Sequence, residues 1–128
     1  MHHNILADSS AIIEFLNGNA DYLYLRDLAN QNLLHINDVI LTELLPAMIA
    51  TENYIQAEFI HKLPKVALKI NWDEIRDYQI ALMKNGYFRV GVSDLHIAQN
   101  CIQNDFLLIS NDKHFKIIAQ FTQLKLYK

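Results

Sequence analysis

Four of the fourteen acids in this 128-residue chain sit where a carboxylate is costly. Asp8 directly follows the apolar run "NILA" at 4–7, and Asp112 comes just past a second run, "FLLIS" at 106–110. Asp94, in "GVSDLHIAQN" (91–100), shares the apolar helical face of Ala98, Cys101 and Ile102, at offsets of four, seven and eight. Glu43 lies in "VILTELLPAMIA" (39–50), where Thr42 is the only other polar side chain; its helical neighbours are Val39, Ile40, Ala47 and Ala50. A carboxylate aimed at a core needs hydrogen bonds, a counter-charge or a metal, and a Glu ringed by apolar residues is rarely left bare.

Gathered in one pocket, such acids repel each other and raise each other's pKa. A hard divalent cation removes the conflict. Mg²⁺ or Mn²⁺ prefers carboxylate and water oxygens, and can activate water and stabilise charge on a phosphate in flight. A site rich in Asp and free of His suits phosphodiester hydrolysis better than zinc peptidase chemistry. Each acid also has a plainer reading. Asp8, Asp94 and Asp112 can serve as helix or loop caps, and Glu43 can partner a buried Arg.

The elements that would position these acids can be read from the pattern. Buried strands are expected at 4–7, 33–36, 66–70 ("VALKI"), 106–110 and 124–127. Helices are expected from Ser9 to a stop at Gly18, over 21–30, over 37–51, from Asn53 to a close at Pro64, and over 73–85 to Gly86. Two more are expected, one capped by Ser93 and one in "DKHFKIIAQF". Pro46 should cost the third helix a hydrogen bond and kink it. Short apolar runs alternating with helices indicate βαβ units and a parallel sheet. In such a sheet the carboxyl ends of the strands form the binding edge. Asp8 and Asp112 would meet there although 104 residues apart.

Composition bounds the rest. About half the residues are apolar, and only 3 Gly and 2 Pro are present, which argues for a packed core rather than a loop-rich chain. The length and the lack of repeats or linkers point to one domain over 1–128. No apolar run is long enough to span a membrane, and the start resembles no signal peptide. His2 and His3 are given no role. The single Cys101 reads as a small core hydrophobe, and the cytoplasm is the expected compartment. A net charge of −3 argues against strong non-specific nucleic-acid binding. Residues 1–60 carry eight acids and one base, Arg26, while 61–128 carry six acids and ten bases. An acidic pocket beside a basic rim is one use of that asymmetry.

Together these residues resemble a PIN domain, specifically the VapC-like toxins of toxin–antitoxin pairs, over nearly the whole chain. "ILADSSAIIEFL" is similar to the family's opening strand, Asp, Ser and first helix, and "INDVILTELLPAM" to its helix with a central Glu. "KNGYFRVGVSDLHIAQNC" resembles its most distinctive block, and "FLLISNDKHFKII" its closing segment. The resemblance implies a three-layer α/β/α fold around a mostly parallel sheet, and a Mg²⁺- or Mn²⁺-dependent ribonuclease. It also implies a homodimer inhibited by a small antitoxin. It makes Asp8, Glu43, Asp94 and Asp112 the acidic site, with Asp8 and Asp94 the most direct metal ligands. Ser10 would hold Asp8, Ser110 would order the Asp112 loop, and Asn111 would stand at the site edge. Lys84, Arg89, Lys113 and Lys116 are candidates to guide an RNA backbone. One departure concerns His114, where the family often has an acid; packing or an RNA contact are its readings. The rivals are a PIN-like module that binds without cutting, whose signature would be loss of acids, and a phospho-receiver domain. The receiver needs a pair of acids after the first strand, and Ser9 and Ser10 stand there instead. A haloacid-dehalogenase-type phosphatase needs a second Asp at the Ser10 position.

Overall fold

The computed structural model describes residues 3–127, so His2 lies outside the described residues. The apolar run after Asn4 forms strand β1 (Ile5–Ala7). Around it lie β2 (Leu34–His35), β3 (Leu107–Ile109) and β4 (Lys125–Leu126). The order is β2-β1-β3-β4 with every pairing parallel. All three β1 residues are buried. Successive strand residues point to opposite faces, so both faces of the sheet are covered, as a layered α/β/α arrangement requires.

The helices are α1 (Ser9–Leu16), α2 (Tyr24–Asn30), α3 (Asp38–Ala50), α4 (Tyr54–Lys62), α5 (Trp72–Lys84), α6 (Val92–Asn104) and α7 (Lys113–Phe121). α3 packs on α1, α4 and α6, whereas α5, α6 and α7 pack on one another. α6 joins the two groups through its buried Leu95, Ile97, Ala98 and Cys101. Left-handed Gly86 follows the end of α5, as the sequence indicates, and Asn71 caps its start by accepting from the Glu74 N–H. α3 runs through Pro46 as one unbroken helix.

Three expectations are corrected. Residues 21–30 are not one helix: a 3₁₀ turn, Ala20–Tyr22, capped by Asn19, precedes α2. Ser93 does not cap α6. Gly91 occupies the cap position without a side-chain bond, and Ser93 lies inside the first turn. The strand expected at 66–70 is absent as well; a single parallel bridge, Ile36 with Lys65, is all that forms. The physical reason is competition for carbonyls. Asn100 donates to the Ala67 carbonyl (3.0 Å), Gln103 to that of Lys69 (2.8 Å) and Gln99 to that of Asn71 (3.0 Å). Amides on α6 thus hold groups that a strand would have given to a neighbouring strand.

Candidate metal centre

The acidic site is assembled at the point where the strand order reverses. β1 and β3 are parallel neighbours at the centre of the sheet. The chain leaving β1 enters α1 through Asp8, and the chain leaving β3 enters α7 through Ser110, Asn111 and Asp112. This is the crevice at which open α/β sheets bind ligands.

Asp8 is only 3% exposed, and both its oxygens are engaged. Oδ1 accepts from Ser10 Oγ (2.7 Å) and from the Ala11 N–H (3.0 Å). Oδ2 accepts from Ser110 Oγ (2.6 Å). Burial pushes this carboxyl above its ordinary 3.8; the bonds from Ser110, Ala11 and Ser10 pull it down, and Asp112 adds a push upward. The serines also lock the facing loop. Asn111 donates its N–H to Ser10 Oγ (2.9 Å), and Asp112 donates its N–H to Ser110 Oγ (2.9 Å). Two short side chains therefore clamp the β1 edge to the β3 edge.

Asp8 and Asp112 do cap α1 and α7, each accepting from a backbone N–H. The cap reading and the site reading coincide there, because a cap uses only some of a carboxylate's lone pairs. Asp94 is not a cap. It lies in the first turn of α6, raised above its ordinary value by burial and then by Asp112. Glu43 departs from the apolar ring expected of it. It lies on the exposed side of α3, together with Thr42 and Ala47, while Leu44 and Met48 face inward. Its carboxyl is raised by partial burial, then by Asp94 and Asp8, against a bond from Ser9. The charges of the four carboxylates reach one another: Asp112 acts on Asp8, Asp94 and Glu43, and Asp8 acts on Asp94 and Glu43. Segments separated by tens of residues have brought like charges together.

Such a set accommodates a divalent cation by its chemistry: hard oxygen donors, mutually repelling, partly open to solvent. Among the described residues, ligand atoms close enough to share one ion come from Asp94, Asp112 and His114, all within 4.8 Å of one another. His114 is the residue whose place the sequence did not reveal. It is the second residue of α7, and its N–H donates to Asp112 Oδ1 (2.9 Å). Its Nδ1 lies 3.4 Å from Asp94 Oδ2. The sequence signals were its place two residues after Asp112 and its standing where the resembled family often has an acid, which by themselves read as packing or an RNA contact rather than as part of the cluster.

A family model for the PIN domain matches residues 5–120. This chain belongs to the PIN-domain family. No curated protein sequence matches it. Among solved structures, the PIN domain is similar to a chain of VapBC2 from Rickettsia felis, bound there to a DNA fragment from its promoter. That match has 20% identity, 95% of this chain and 96% of the other covered, and a TM-score of 0.74. It is also similar to a chain of DNA-bound VapBC from Salmonella typhimurium, at 14% identity, 98% and 97% coverage and a TM-score of 0.75. At these identities the likeness is one of fold.

Two concave surfaces flank the acids of the PIN domain. One, of about 420 Å³, includes Tyr22, Tyr24, Asn111, Asp112 and Lys116. Tyr22 donates its hydroxyl to Asn111 Oδ1 (2.9 Å), a contact not foreseen from the sequence. The other, of about 370 Å³, includes Phe88, Arg89, Lys113 and His114. Of the four bases singled out in the sequence, three thus line grooves beside the site, and Lys84 is in neither. Cys101 is free and buried, its thiol pushed up by burial, as a core residue should be. No helix among the described residues is long and apolar enough to cross a membrane.

Proposed function

We propose that this PIN domain is a metal-dependent endoribonuclease of the toxin type, hydrolysing RNA phosphodiester bonds at Asp8, Glu43, Asp94 and Asp112. The observation that carries the reading is geometric: ligand atoms of Asp94, Asp112 and His114 lie within 4.8 Å of one another, Ser110 ties Asp8 to the same loop, and the charges of Asp8 and Glu43 reach this cluster. A fold without use for a cation there would gain by replacing one of these acids. When bound, Mg²⁺ or Mn²⁺ would supply an activated water and charge stabilisation at the phosphate.

The chain's own residues have separable tasks. Asp94 and Asp112 present oxygens to the open side of the site. Asp8, tied by Ser10, Ser110 and the Ala11 N–H, holds its charge at a fixed place behind them. Glu43 closes the outer side, where its partly exposed carboxylate, bonded by Ser9, can orient water. Arg89 and Lys113 on one side, and Lys116 on the other, offer positive charge to a backbone crossing the acids. The products would carry 5′-phosphate and 3′-hydroxyl ends.

The same reading includes a small antitoxin partner and a homodimer. A shallow groove beside Glu43, lined by Ile13, Leu16, Leu44, Ala47 and Met48, supports the first. Exposed Ile49, Tyr54 and Ile55 on α3 and α4 support apolar contacts with another chain.

The test is end-mapped cleavage of total bacterial RNA by purified protein with Mg²⁺, with Mn²⁺ and with EDTA. Discrete metal-dependent cuts with 5′-phosphates are expected, and loss of them in Asp94→Asn. Folded protein that binds RNA and cuts nothing under any metal would favour the binding module.

A further inference from the structure

We propose that His114 gives this metal centre a nitrogen ligand, and that the site therefore selects Mn²⁺ over Mg²⁺. The inference rests on the nuclease reading and concerns this chain's own departure from an all-acid site.

Three observations carry it. The first is position. His114 Nδ1 stands 3.4 Å from Asp94 Oδ2 and 3.7 Å from Asp112 Oδ1. These separations are long for an optimised N–H···O bond. Ligands at right angles, each about 2.1 Å from an ion, stand about 3 Å apart, so His114 needs to close only slightly on either carboxylate, and the three ligand atoms already lie within 4.8 Å of one another. The second is placement. The backbone N–H of His114 donates to Asp112 Oδ1, so the start of α7 sets the residue that bears the imidazole beside the carboxylate with which it would share the ion. The third is access. His114 and Asp94 are both part-buried, their side chains 32% and 18% exposed. The ring is held, yet reachable from the groove that contains Arg89 and Lys113.

The selectivity follows from ligand chemistry. Mg²⁺ demands oxygen donors and releases its waters reluctantly. Carboxylate and water suit both ions, but imidazole is a donor for transition ions, and of the two only Mn²⁺ belongs to that series. An Asp in place of His114 would restore an all-oxygen set. Exchanging His for a carboxylate at this position thus changes which ion is preferred, rather than whether one binds.

Pulsed electron paramagnetic resonance of Mn²⁺ bound to the full chain tests this without any turnover. Wild type should show coupling of Mn²⁺ to one imidazole nitrogen, and H114A and H114D should lack it. Calorimetric titration should find wild type favouring Mn²⁺, with the Mn²⁺/Mg²⁺ affinity ratio falling on the order of tenfold in H114D, the scale of losing one interaction at a metal ligand shell. Mn²⁺ bound to wild type without nitrogen coupling would overturn the proposal and leave the nuclease reading intact. An unchanged affinity ratio in H114D would overturn it equally. No Mn²⁺ binding at all would remove both.

Discussion

Two polar networks tie distant parts of this chain together, and they differ in whether their members satisfy one another. One is neutral. Asn37 caps α3 through the Ile40 N–H and donates to Asn100, which donates to the Ala67 carbonyl. Gln99 completes it through Asn71 and Glu74. Its amides find partners at both ends, and Asn37, Gln99 and Asn100 are all buried. The other is charged. Ser10 and Ser110 bond Asp8, but among the described residues the basic side chain within 4 Å of Asp94 and Asp112 is the His114 ring. A satisfied network specifies a fold. An unsatisfied one at the sheet's carboxyl edge is where a ligand supplies what the protein does not.

The sharpest way to break this contrast is to remove one charge and one amide. Asp94→Asn should cut RNA cleavage by about a hundredfold or more, the scale of losing a group that stabilises charge in the transition state. Thermal unfolding of the metal-free variant should occur no lower than in wild type, because one repelling charge is gone. A large loss of stability instead would mean that Asp94 is a structural acid. Saturating Mn²⁺ should act in the opposite sense on wild type. At about one hundred times its dissociation constant it should stabilise the fold by about 2.7 kcal/mol, and Asp94→Asn should lose most of that gain in the same melting assay.

On the neutral side, Asn100→Ala should destabilise the fold by about 1–3 kcal/mol, the cost of leaving buried polar partners unmet. The stranded groups would be Asn37 Nδ2 and the Ala67 carbonyl. Hydrogen exchange should speed up at the amides of 65–71, and cleavage per folded molecule should stay near wild type. Equal loss of activity would mean that the two networks are coupled along α6.

The same contrast explains what the sequence could and could not tell. Asp8 and Asp112 were legible because each follows an apolar run, and a parallel sheet puts such positions on one edge. The α/β order was legible for the same reason. The irregular path of 66–70 was not, because "VALKI" has a strand's composition and its carbonyls are claimed by amides some thirty residues later. Ser93 misled because a good capping residue was present, yet the cap fell two residues earlier, at Gly91. Glu43 was read as a member of the site, but as ringed by apolar groups. The helix turns its Leu44 and Met48 inward instead and leaves Glu43 outside. His114 was weighed as packing or an RNA contact, since nothing in spacing alone aims an imidazole at Asp94.

The smallest expected effect is also the one that separates the two networks by sign. Asp8, Asp94 and Glu43 all have carboxyls raised above their ordinary values of 3.8, 3.8 and 4.5. A raised acid in the folded state holds its proton where the unfolded chain has already released it. Its contribution to stability is therefore fully present below the unfolded value and is lost as pH rises through the folded one. Metal-free protein should gain stability on mild acidification from neutrality toward that range, against the usual direction for paired carboxylates. The amide side chains of Asn37, Gln99 and Asn100 have no proton to exchange and contribute no slope. A bound cation favours the ionised acids, so with Mn²⁺ present the trend should reverse, and acid should weaken the fold as it releases the ion. Chemical denaturation from about pH 7 to about pH 5, the range in which such linkage shows, with EDTA and with Mn²⁺, reads both slopes. Parallel curves would mean that these carboxylates do not exchange protons for a metal, and that the charge gathered at the β1–β3 edge is held for another purpose.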